Sequence, residues 1–182
     1  QAIVKYDANG NAVSAFGNVN GSGDGQLDTP FGIAIDKTDN VYIVDSGNYR
    51  IQKFDSSGNF ISKWGSQGSG DGQFMHPEQA AIDGSGNIYV TEGVLKRIQK
   101  FDKNGVYLGK WGSLGSGDGQ FKILSGIATD NVGNVHVSDS ENKRVQNFDT
   151  DGRFYSSWGS QGAEDGQFNF PKGIATDSKN NI

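Results

Sequence analysis

Cysteine is absent from this sequence, which removes disulfides, thiolate metal sites and a cysteine nucleophile from consideration. Basic residues are outnumbered, with 16 Lys and Arg against 21 Asp and Glu and a formal net charge of −5, and they form no run. A phosphate-backbone binder needs a basic face, so nucleic acid is not the expected partner. No stretch approaches the roughly 18–20 apolar residues of a membrane-spanning helix. No window carries a 3.6-residue apolar period of useful length, which argues against helices. Histidine is scarce, being limited to His76 and His136. No secretory signal peptide is visible. The chain opens at Gln1 rather than Met, already inside a repeat, as a mature, trimmed or partial chain would.

Glycine, by contrast, is abundant. The 28 glycines show no three-residue period; they recur at fixed places beside aromatic and β-branched residues and read as turn residues. The word GSGDGQF at Gly68–Phe74 returns as Gly21–Leu27, Gly115–Phe121 and Gly162–Phe168, each copy 47 residues after the last. Ile51–Asp55 (IQKFD) keeps the same step as Ile98–Asp102 and Val145–Asp149, and Trp64-Gly65 returns as Trp111-Gly112 and Trp158-Gly159. Self-similarity at such a period marks a repeat architecture.

Within one repeat, four short strands alternate with turn clusters. Pro30–Asp36 is an apolar run with proline only at its start, where a missing N–H does least harm to a sheet. Val41–Val44 is β-branched and aromatic, Arg50–Phe54 alternates with period two, and Phe60–Trp64 closes the unit. We call these strands a to d. Equivalent a strands are expected at Gln79–Asp83, Gly126–Asp130 and Gly173–Asp177. Strand b recurs at Ile88–Thr91 and Val135–Ser138 and only begins at Ile182; c recurs at Arg97–Phe101 and Arg144–Phe148, and d at Val106–Trp111 and Phe154–Trp158. One four-stranded unit cannot bury both faces of its sheet alone, and stacking units around an axis as a β-propeller solves this. The expected fold is therefore all-β. Strands c and d of a preceding or split blade occupy 1–20, whole repeats occupy 21–67, 68–114 and 115–161, and a further blade starts at 162–182. The ends thus read as a section of a longer ring or as a ring completed between chains.

The repeat words resemble those of the NHL-repeat family. The P-x-G-I-A-x-D word stands at Pro171–Asp177, the N-[IV]-Y-V-x-D word at Asn40–Asp45, the N-x-R-[IV]-Q-x-F-D word at Asn142–Asp149, and the G-x-[FW]-G word at Trp64-Gly65. Departures fall at Leu124 in place of Pro, at Gln79 in place of Gly, and at Glu92 and Leu95 in place of Asp and Asn. The resemblance implies a propeller that closes with six blades and serves in extracellular or envelope sensor and scaffold roles. It also implies two other functions: a lyase or hydrolase with its site at the channel mouth, or RNA binding, which calls for a Lys/Arg-rich face.

Motifs that suggest chemistry have simpler structural readings. The Gly-rich loop lacks the G-K-[ST] and helix of a phosphate loop, so it reads as the link from one blade's outer strand to the next blade's inner strand. Asp24, Asp71, Asp118 and Asp165 are expected to cap backbone N–H groups there. Asp102–Gly105 and Asp149–Gly152 resemble half a calcium loop, lack its distal Glu, and read as hairpin turns. His136 takes the strand-b slot of Tyr42 and Tyr89, a packing position. No nucleophile elbow, metal-ligand set or cofactor fingerprint is present, and Asn20-Gly21-Ser22 reads as a chance sequon.

In a propeller the d-to-a and b-to-c loops open on one face, and binding functions use such loops. That face is expected to display Asp45, Asn48, Tyr49, Arg50, His76, Glu92, Arg97, Asp139, Asn142 and Arg144. The pairing of Arg50, Arg97 and Arg144 with Asp45, Glu92 and Asp139 also reads as ion pairs that fix blade geometry. The expectation is a non-catalytic binding or scaffold propeller that presents this face to a protein, peptide or glycan, without a cofactor or metal.

Overall fold

The computed structural model describes residues 2–17 and 19–182; Gln1 and Asn18, both within the first expected unit, lie outside the described residues. A two-stranded hairpin comes first, β1 (Ile3–Tyr6) with β2 (Ala12–Phe16). The first whole blade is β3 (Pro30–Ile35), β4 (Val41–Asp45), β5 (Arg50–Phe54) and β6 (Phe60–Trp64), a meander paired in chain order. The second blade is β7 (Pro77–Ile82), β8 (Ile88–Glu92), β9 (Arg97–Phe101) and β10 (Tyr107–Trp111). A short parallel pair, β11 (Ser113–Leu114) with β12 (Gln120–Phe121), closes the following loop. The third blade is β13 (Leu124–Thr129), β14 (Val135–Asp139), β15 (Arg144–Phe148) and β16 (Phe154–Trp158).

Strand b explains why the blades stack. Val41 and Ile43 of β4 pack with Phe16, Leu27 and Phe54 on one side. Tyr42 and Val44 point the other way, into a cluster with Ile88, Val90 and Phe101 of the second blade. Tyr89 then leaves that cluster for the next one, with Val135, Val137 and Phe148. Successive side chains of a strand face opposite sides, so a strand apolar at every position needs a neighbour on both. The stack supplies them. Of the inner strands, β3 touches β7 and β7 touches β13. On the outside, the Trp64 ring lies on the c-to-d turn of the second blade; a Cβ at Gly105 would stand 2.6 Å from it, and φ there is +84°. Only glycine fits that contact and that conformation.

One expected strand does not form. Residues 171–177 make no sheet ladder, because strand b of their own blade would begin only at Ile182. They are held by side chains instead, Thr176 Oγ1 donating to Thr129 O at 2.7 Å and Ser138 Oγ to Lys172 O at 2.7 Å.

Eight turns share one device. Asp7, Asp36, Asp55, Asp83, Asp102, Asp130, Asp149 and Asp177 each accept two backbone N–H groups on Oδ1, from two and four residues ahead. Asp102 and Asp149, at the calcium-like words, are hairpin turns of this kind. At Asp36, burial would raise the carboxyl, but hydrogen bonds from Asn40 and Thr38 outweigh it and hold the group well below the usual carboxylate range. A folded pKa below the unfolded one gives stability that is full above the unfolded value and lost as pH falls through the folded one. Asp36→Asn is therefore expected to cost about 1–2 kcal/mol at neutral pH and to flatten the loss of stability below about pH 4. Denaturant melts monitored by circular dichroism along a pH series check this.

The third blade departs from its neighbours at two coupled positions. In the first two blades Lys53 and Lys100 lie 4.9 and 5.7 Å from the ring centres of Tyr42 and Tyr89. Those tyrosines donate to Asp36 and Asp83 at 3.1 and 2.9 Å. In the third, His136 and Asn147 replace the pair, with Nδ1 2.8 Å from Asn147 Oδ1 and Nε2 3.4 Å from Asp130 Oδ2. His136→Tyr and Asn147→Lys should be non-additive, the double variant being about 1 kcal/mol more stable than the sum of the singles predicts. A double-mutant cycle of urea melts measures it.

Candidate binding face at the channel mouth

The residues expected to face a partner mostly hold the loops in place. Asp45 ends strand b fully buried; Oδ1 accepts the Asp28 N–H at 2.7 Å, and Oδ2 takes Asn48, Arg50 and Gln52 at 2.9, 2.7 and 3.0 Å. Arg50, itself buried, continues into the Gly-rich loop and donates to the carbonyls of Ser22, Gly23 and Gln26 at 2.7, 2.8 and 2.9 Å. The second blade repeats this with Glu92 and Arg97 paired at 2.5 Å and Arg97 donating to Ser69, Gly70 and Gln73. In the third, Asp139 and Arg144 stand 3.5 Å apart, and Arg144 donates to Gly117 and Gln120 at 2.8 Å. These contacts place the b-to-c and d-to-a loops on one face.

Burial therefore corrects the expected display. Asp45, Arg50, Glu92, Arg97 and Asp139 are buried, and Arg144 is half-buried. Asn48 and Asn142 donate to Gly21 O and Gly115 O at 2.8 and 2.9 Å. Tyr49 packs against the core between the first two blades. Of the ten, His76 remains presented, its side chain 45% exposed and 3.2 Å from Glu78 Oε1. A charge taken out of water must be paired and fully hydrogen-bonded, and a strand end buried under a loop leaves these residues that role.

The loop caps differ from expectation too. Gln26, Gln73, Gln120 and Gln167 accept the N–H three residues back, at 2.9, 3.0, 3.0 and 3.0 Å. Asp24 and Asp71 turn outward, to Lys63 and Lys110 at 2.6 and 2.7 Å. The longer Gln reaches back across the loop, which leaves the Asp next to solvent. Strand c supplies the second hold. Gln52, Gln99 and Gln146 accept the N–H of Gly25, Gly72 and Gly119 at 3.0, 2.9 and 2.9 Å, and donate to the carbonyls of Gln26, Gln73 and Gln120. Gln52, Gln99 and Gln146 thus face a buried loop rather than water. The recurrence of Gln at this slot in the three whole repeats was the available signal.

What the face offers outward is apolar and lies nearer the axis. Phe31, Ile123 and Phe170 are exposed, and Phe31 meets His76 edge-on at 5.8 Å. A cleft of about 480 Å³ opens there between the inner strands, lined by Phe31, Glu78, Gln79, Ile123, Ser125 and Lys172 among others. Among the described residues no three His, Cys, Asp or Glu side chains gather to hold a metal. No helix among them is long and apolar enough to cross a membrane.

Known proteins share this architecture. A family model described as a 6-bladed beta-propeller matches residues 32–111. Protein lin-41 of Caenorhabditis elegans is 54% identical over 43 residues, which is 24% of this chain and 4% of that protein. A streptogramin B lyase superposes with a TM-score of 0.64 at 18% identity over 91% of this chain and 49% of its own. A catalytically inactive virginiamycin B lyase from Staphylococcus aureus with quinupristin gives 0.66 at 13% identity, over 96% and 53%. The chain spans about half the length of these solved structures, and at such identities they speak for the fold alone. The class is an all-β propeller. Its blades are NHL-like repeats.

Removing one member of a buried ion pair strands the other. Arg97→Met is expected to destabilise the chain by about 3–5 kcal/mol, and adding Glu92→Leu to recover part of that loss. Thermal and urea melts of the two variants test this.

Proposed function

We propose that this chain is a binding or scaffold propeller and that it presents the mouth of its loop face to a protein, peptide or glycan partner. The observation that carries the reading is the exposure of Phe31 and Ile123 in the mouth cleft. The recurrent polar words beside them are consumed internally. Large apolar groups grouped on a loop face accord with a recognition surface, and extended cleft walls suit a ligand that lies along them. An extracellular or envelope setting belongs to the same reading, through the scaffold propellers these repeats resemble. A second reading, a lyase or hydrolase at the mouth, draws on one feature: His76 beside Glu78 at 3.2 Å, an imidazole held by a carboxylate as in general acid–base pairs.

Arrays of immobilised peptides and glycans separate the two. Binding that falls at least tenfold in Phe31→Ala with Ile123→Ser, and not in Val132→Ser on the opposite face, is the expected result. Equal loss or no loss in both overturns it. Turnover of a bound peptide or glycan that His76→Asn abolishes, with binding unchanged, establishes the enzymatic reading.

A further inference from the structure

The mouth cleft is lined where the repeats disagree most. Phe31, Glu78, Ser125 and Lys172 hold the same slot, 47 residues apart, and all four line it. An aromatic ring, a carboxylate, a hydroxyl and an ammonium have replaced one another at a position whose two immediate neighbours each depart from Pro or Gly in one copy. The next slot reads Gly32, Gln79, Gly126 and Gly173. Glycine there lets adjacent inner strands approach: a Cβ at Gly32 would come 2.6 Å from Glu78 O, and at Gly126 2.4 Å from Lys172 O. Gln79 breaks the rule at the second blade. Its backbone N–H donates to Thr91 Oγ1 at 3.0 Å, and the residue lines the cleft. Ser140 Oγ donates to Pro171 O, so Ser125 Oγ, 2.5 Å from Ser140 Oγ, is the donor of that pair and keeps its own lone pairs for an incoming group.

We propose, resting on the mouth as the binding site, that the cleft takes an extended peptide segment: an apolar residue on Phe31 and Ile123, a basic side chain toward Glu78, and an acidic group toward Lys172. A primary amide such as Gln79 offers one acceptor and two donors, complementary to a peptide group. Opposite charges in one cleft that also has apolar lining favour a ligand carrying both signs. Neutral glycan hydroxyls make no use of that polarity, and Glu78 opposes a phosphate chain. Ion pairs at this exposure contribute modestly, so the charges act as selectors and the apolar contact supplies most of the affinity.

Four acetylated, amidated tripeptides test the assignment: Arg-Leu-Asp, Asp-Leu-Asp, Arg-Leu-Arg and the neutral Gln-Leu-Asn. Titrated into the ¹⁵N-labelled chain, Arg-Leu-Asp should bind roughly three- to tenfold more tightly than the others, with amide shifts at Gln79, Ser125 and Gly173. Glu78→Lys should transfer the preference to Asp-Leu-Asp, and Lys172→Glu to Arg-Leu-Arg. Should Glu78→Lys lose its dispersed spectrum, Glu78→Gln replaces it, with Arg-Leu-Asp then no better than Asp-Leu-Asp. Shifts in the cleft with no dependence on peptide charge overturn the polarity and leave the mouth as the site. Tight binding of all four outside the cleft, or no shift with any of them, overturns the peptide assignment. The array variants of Phe31 and Ile123 then judge the mouth separately.

Discussion

A carboxylate buried at the end of each second strand is the constraint on which the loop face depends. Asp45, Glu92 and Asp139 are fully buried, and such a charge survives only with every lone pair engaged. One oxygen takes backbone N–H groups from the loop entering the blade; the other takes the Arg that opens the third strand, or stands beside it, along with the neighbouring Asn or Gln. That Arg then grips the loop carbonyls. Link, strand and turn of each blade are therefore one hydrogen-bonded unit, and a loop rich in glycine is held in a single shape without apolar anchors beyond its terminal Leu27, Phe74 or Phe121.

The apolar part of the fold obeys a different logic. Each blade's core is shared, since the residues of strand b alternate between the cluster behind and the cluster ahead. Stability of such a stack is a sum of blade and neighbour terms. One axial slot is exempt from this pairing: Phe31, Glu78, Ser125 and Lys172 belong to none of these clusters, although Leu124 and Ile127 beside them do. Side chains in that slot are free to differ from copy to copy, which is why chemistry diverges there while Trp64 and Phe101 recur almost unchanged.

Much of the fold was legible in the repeat. Strand order within the four-stranded sheets followed from period, turn chemistry and β-branched runs. Gly173–Asp177 was read as a strand because its word matches strands elsewhere, yet a ladder needs a partner and this one has none. The site was much less legible. Asp45 and Arg50 look like surface charges in the sequence, since polar residues at a turn ordinarily meet water. Whether a turn lies under another loop depends on contacts some 25 residues away in the chain.

The same distance separates what the sequence determined from what tertiary structure decided. Local spacing alone specified four strands per 47 residues and a face that must stack, because period two and glycine turns are properties of neighbouring residues. Which polar residues are consumed and which are offered was decided by blade-to-blade contact. Gln26 rather than Asp24 caps its loop because only the longer side chain spans it once the loop is closed. Glu78, Gln79 and Lys172 come to one cleft because the ring turn brings β7, β13 and the segment 171–177 around an axis, and no stretch of sequence contains that axis.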